Sequence, residues 1–72
     1  MNIIKEWYGK TGLLARFYSC NGIYFLDYNL CRETTKLLIH KIGGKVVVTP
    51  EVPDTPKKYL TEIASLVKKG VC

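Results

Sequence analysis

The stretch that decides the fold runs Leu30-Cys31-Arg32-Glu33-Thr34-Thr35-Lys36-Leu37-Leu38-Ile39-His40-Lys41-Ile42-Gly43-Gly44, followed by Lys45-Val46-Val47-Val48-Thr49. On a 3.6-residue period Leu30, Cys31, Thr34, Leu37, Leu38 and Ile42 share one broad face, and Arg32, Glu33, Lys36 and His40 share the other. That spacing predicts an amphipathic helix with Asn29 as N-cap and Gly43 as left-handed terminator. Lys45 to Thr49 then becomes a central strand buried on both faces, ended by Pro50. The alternative is a hairpin turn at Gly43-Gly44 joining strands over 36–42 and 45–49. The helix is the preferred expectation.

Upstream, 2–8, 13–19 and 23–28 are three runs rich in β-branched and aromatic residues, separated by Gly9-Lys10-Thr11-Gly12 and Cys20-Asn21-Gly22. Asn21-Gly22 tolerates the positive φ of a two-residue hairpin loop, so these runs predict a three-stranded meander. Downstream, Thr55 is placed to cap a helix with Pro56 at its first position, spanning 56–69. Its buried stripe is Tyr59, Leu60, Ile63, Leu66 and Val67. Lys68 and Lys69 complement the dipole before Gly70, and Val71 suits a Schellman ending.

The expected fold is therefore one α+β domain over 1–72, a small antiparallel sheet of three to four strands with two helices on one face, in the order βββαβα. The alternative is a five-stranded meander with one C-terminal helix. The segment from Leu37 to Val47 is similar to the helix, double glycine and strand of a BRCT repeat. Such a repeat is longer and carries its tryptophan in a later helix, whereas Trp7 stands in the first strand, so no site residue is carried over.

Composition narrows the class of function. A chain of 72 residues has room for one core and buries only about 60% of its unfolded surface, so a partner can contribute to its stability. With 47% hydrophobic and 24% charged residues it is not expected to be disordered. No apolar run is long enough to span a bilayer, and Met1 to Lys10 lacks the pattern of a signal or transit peptide. Three cysteines, Cys20, Cys31 and Cys72, include no CxxC pair, so reduced thiols and an intracellular, cytoplasmic location are expected. A Cys20–Cys31 disulfide is conceivable and a zinc site is not expected, because no chelating knuckle is present. No cofactor is expected.

Eleven Lys and Arg against six Asp and Glu give a net charge of +5, which favours encounters with nucleic acid or an acidic protein surface. Seven of the eight aromatics lie in the first three runs, as the adjacent pairs Trp7-Tyr8, Phe17-Tyr18 and Tyr24-Phe25, with Tyr28. Neighbours on a strand point to opposite faces. The simplest assignment buries Trp7, Phe17 and Phe25 with Leu13 and Ile23, leaving Tyr8, Tyr18 and Tyr24 outside near Arg16 as a stacking platform for bases. Lys5, Lys57 and Lys58 are the matching candidates for phosphate contact.

P-loop, GxGxxG, GxSxG and HExxH motifs are absent, and His40 lacks an orienting partner, so a catalyst is not expected. The leading expectation is a non-catalytic nucleic-acid-binding protein. A second is an interaction module, such as a virus- or phage-encoded inhibitor or a small subunit of a larger assembly, docking on an acidic partner. A third is a small toxin-type nuclease.

Overall fold

The computed structural model describes residues 1–30, 32–43, 45–50, 52 and 54–71. Five strands, β1 (Asn2–Gly9), β2 (Gly12–Cys20), β3 (Ile23–Tyr28), β4 (Thr35–Ile42) and β5 (Lys45–Thr49), precede one helix, α1 (Lys57–Lys68). Each strand pairs antiparallel with its sequence neighbour, giving the sheet order β1-β2-β3-β4-β5. The broad class is α+β, and its layout is the five-stranded meander with a C-terminal helix.

The three-stranded start follows from its turn chemistry. Asn21 and Gly22 take φ of 53° and 79°, as a primed turn requires, and the Cys20↔Ile23 pair closes the hairpin. β1 carries register shifts between Ile3 and Lys5 and between Trp7 and Tyr8. Such bulges twist an edge strand away from further pairing.

The predicted first helix is a strand. Leu37 and Ile39 alternate into the core, while Lys36, Leu38 and His40 point to the other face. The run Leu37-Leu38-Ile39 fits either period, and pairing on both sides settles the choice: Leu26↔Leu37 and Tyr24↔Ile39 with β3, Ile39↔Val48 and His40↔Val47 with β5. β-branched Thr35, Ile39 and Ile42 suit the strand. Asn29 has φ of 59° and lies in a turn, where an N-cap would be extended. Gly43, at φ of 55°, serves the β4–β5 hairpin that the Ile42↔Lys45 pair closes. The segment similar to a BRCT helix and strand is thus a hairpin, and β5 is an edge strand. Val46 and Val48 are half-buried, and Val47 faces away with 45% exposure.

One face of the sheet holds the core. Ala15, Phe17, Leu26, Tyr28, Leu37 and Ile39 meet Tyr59 and Ile63 of α1, and Trp7, Tyr24, Leu60, Leu66 and Val67 pack around them. Thr55 does not cap α1. Pro56 holds the cap position with no side-chain hydrogen bond, while Thr55 Oγ1 is buried 3.1 Å from the Tyr28 hydroxyl. That exchange satisfies two polar groups that would otherwise be buried without partners. The far end is a Schellman motif: the Gly70 N–H donates to Val67 and the Val71 N–H to Leu66, each at 3.1 Å, with Gly70 at φ of 75°. Val71 remains exposed. Among the described residues no helix is long and apolar enough to cross a membrane.

Candidate nucleic-acid interface

Because α1 buries Tyr59, Ile63 and their neighbours, its opposite arc faces outward. Lys57, Lys58, Thr61, Ser65, Lys68 and Lys69 are all exposed. At 3.6 residues per turn and 1.5 Å per residue, Lys57 and Lys68 stand on one line about 16 Å apart, and Lys58 and Lys69 stand on the next. Two lysine rows thus run along the helix with two hydroxyls between them.

Glu62, the acid of this helix, borders that arc, lining one shallow depression with Ser65 and Lys69, and is engaged there by two groups of β1. Its Oε2 accepts from the Trp7 indole N–H, and its Oε1 lies 3.9 Å from Lys5 Nζ. Lys5 therefore sits on the helix side of the sheet, beside Ser65, Leu66 and Lys69 around a shallow depression. Lys58 Nζ lies 5.1 Å from the Tyr59 ring centroid, a cation–π contact that steadies the ammonium. No acid occupies the first turn of α1, so Lys57 and Lys58 oppose the positive end of the helix dipole. Each such placement costs about 0.3–1 kcal/mol.

The candidate platform on the sheet is divided. Register puts Tyr18 opposite Phe25 and Ser19 opposite Tyr24, so Tyr18 and Phe25 share the face away from α1, while Tyr24 lies on the helix side, 6.0 Å from Phe17. Phe25 is therefore not in the core, Ile23 is exposed, Leu13 and Trp7 are half-buried, and Phe17 alone of the expected set is fully buried. Tyr18 is only 7% exposed, stacked on Phe25 at 5.4 Å, with its hydroxyl donating to Asp27 Oδ2 at 3.0 Å. Arg16 donates through Nε to Glu6 Oε2 at 3.0 Å, and Tyr8, 67% exposed, donates to Glu6 Oε1 at 2.9 Å. Tyr8, Arg16 and Tyr18 thus share a face, but Arg16 and Tyr18 are committed to internal acids.

Three groups there hold their protons more tightly than usual. Burial raises the Tyr18 phenol, the hydrogen bond to Glu6 raises Tyr8, and the contact with Tyr18, then the charge of Asp27, raises the Lys36 ammonium. All three shifts lead away from neutrality, so these groups are not tuned as acid–base catalysts. His40 is half-buried opposite Val47, on the same face as Lys36. Among the described residues no three of His, Cys, Asp and Glu are grouped to hold a metal ion. The possible Cys20–Cys31 disulfide falls on Cys31, and Cys72 joins it outside the described residues.

Lys5, Lys57 and Lys58 thus come to the helix side, and Lys68 and Lys69 join them. The recurrence of a lysine pair after eleven positions, about three helical turns, was the signal that these two belong to the same surface. No protein-family model, curated protein or solved structure matches this chain.

Proposed function

We propose that this chain is a non-catalytic nucleic-acid-binding protein that contacts phosphates through the lysine rows of α1, Lys57, Lys58, Lys68 and Lys69, with Lys5 at their margin. The observation that carries this is four exposed lysines along one helix face whose bordering acid, Glu62, is already engaged by Trp7 and Lys5. A helix that accepts two cations against its own dipole breaks a local rule, and such departures collect where function demands them. Thr61 and Ser65, between the rows, add neutral hydroxyl donors of the kind that position a phosphate backbone.

Contacts of this kind read charge and spacing rather than base identity. Tyr8, Arg16 and Tyr18 lie across the sheet from this surface, so a strand held by α1 does not stack on them. The reading places the chain inside the cell, with nucleic acid and reduced thiols.

Titration of labelled duplex and single-stranded oligonucleotides across a salt series tests it. Four phosphate contacts give a slope of log K against log salt near about −3.6 on duplex and about −2.8 on single strands. The double variant Lys57→Ala, Lys58→Ala should flatten the duplex slope by about 1.8 while melting no lower than wild type, since it removes two cations from the positive end of the dipole. An unchanged slope in a folded double variant, or wild-type affinity weaker than about 10⁻⁴ M at physiological salt, sinks the proposal.

A further inference from the structure

The face of the sheet turned away from α1 is covered by no other element among the described residues. Register places Ile3, Ile23, Ile42 and Val47 on it, all exposed, around half-buried Phe25 and Leu38. A monomer of 8.2 kDa ordinarily exposes about 4,500 Å². This chain exposes 4949 Å².

Charge identifies the occupant. On this face Arg16 is held by Glu6 at 3.0 Å, and Lys36 stands directly across from Asp27 in the β3–β4 register. Exposed Lys45, opposite Ile42 at the start of β5, is the base on this face without a facing acid, so the face carries about one net positive charge against +5 for the whole chain. An acidic partner would find little unmatched charge to meet here. Two copies of the chain, with their α1 lysines turned away and Lys45 on the edge strand at the rim, can bring these faces together with little like-charge repulsion.

Area supports the same occupant. Five strands about 4.8 Å apart and about six residues long present a face of roughly 24 by 20 Å. Two such faces together remove about 1,000 Å² or more from water, the threshold for a specific interface.

We propose that this chain forms a two-fold dimer by packing the uncovered sheet face, centred on Phe25 and Leu38, against the same face of a second copy. The arrangement is a β-sandwich with the sheets about 10 Å apart. α1 of each copy stays on the outside, so dimerisation and nucleic-acid binding are independent properties.

Sedimentation equilibrium from about 1 µM to about 1 mM protein tests this. The expected result is a mass rising from 8.2 kDa towards twice that value, and persisting at salt concentrations that abolish nucleic-acid binding. Ile23→Lys and Val47→Lys, each at an exposed position of the face, should lower the mass to that of one chain while leaving the circular dichroism spectrum unchanged. Ile3→Lys provides a third variant should either of these fail to fold. Lys57→Ala should leave the dimer intact. A wild type that remains a single chain at the highest concentration leaves the face to another occupant and overturns the proposal. A dimer that survives both lysine substitutions also overturns it, because the contact then lies elsewhere, for example on the β5 edge.

Discussion

Leu37 and Leu38 are adjacent in sequence and identical in chemistry, yet they belong to different regions of the molecule. Leu37 points beneath α1 and is fully buried between β3 and the helix, whereas Leu38 points to the uncovered face and is half-buried. The same contrast runs through Phe17 against Phe25, and Val48 against Val47. One side of the sheet has its second layer within the chain. The other mixes apolar side chains with Glu6, Arg16, Asp27 and Lys36 and has no second layer among the described residues, so the stability of the fold is concentrated on one side while the surface available for association lies on the other.

Truncation is the strongest way to break that contrast. Leu37→Ala or Ile63→Ala should each lower stability by about 2–5 kcal/mol, read from the urea midpoint at micromolar protein. Leu38→Ala should cost less than about half as much under the same conditions, since a half-buried side chain has less transfer energy to lose. Equal losses for Leu37 and Leu38 would mean that the two faces are equally packed in the single chain.

A smaller effect is expected where α1 is joined to the sheet through polar atoms. Tyr28→Phe leaves the buried Thr55 hydroxyl without its partner and should cost about 1–3 kcal/mol. Adding Thr55→Val should cost less than the sum of the two single changes, which a double-mutant cycle measures directly. Strict additivity would show that the hydroxyl pair does not couple helix and sheet.

The smallest effect belongs to the uncovered face and appears only in alkali. Folding raises both Tyr18 and Lys36 above their ordinary values of 10.0 and 10.5. Groups that hold their protons more tightly when folded stabilise fully below those values and lose that contribution as pH rises through the raised ones. The melting temperature should therefore fall above about pH 10, and Tyr18→Phe or Lys36→Met should make the fall shallower than in wild type. Identical alkaline profiles would remove this pair from the account.

Much of this architecture was legible in the residues themselves. Asn21-Gly22 located the β2–β3 hairpin turn, and the apolar stripe of α1 gave Ile63 its buried position. The segment from Leu30 to Ile42 was not legible, because Leu37-Leu38-Ile39 satisfies both a 3.6 and a 2.0 period and the choice rests on partners distant in sequence, β3 on one side and β5 on the other. Alternation within Tyr24-Phe25 was equally clear, but alternation does not say which member faces the core. Tyrosine went in and phenylalanine out because Tyr24 shares a face with Leu26 and Tyr28. Of the candidate site, the lysine pairs of α1 could be found by spacing. The engagement of Glu62 by Trp7 and Lys5 could not, since it joins the first strand to the last element.

The order of the meander also bears on how the molecule is assembled. Every strand pairs with one next to it in the chain, so the sheet can grow hairpin by hairpin without closing a long loop, a topology associated with rapid folding. During synthesis, however, the segment that covers the core is made after all five strands. Until 57–68 are available, the nascent sheet exposes apolar side chains on both faces and a run of three valines along the β5 edge, the surfaces on which incomplete β proteins aggregate. The interval between completing β5 and docking α1 is therefore when this chain is most vulnerable to self-association of the wrong kind, and it is the stage a chaperone would most usefully protect.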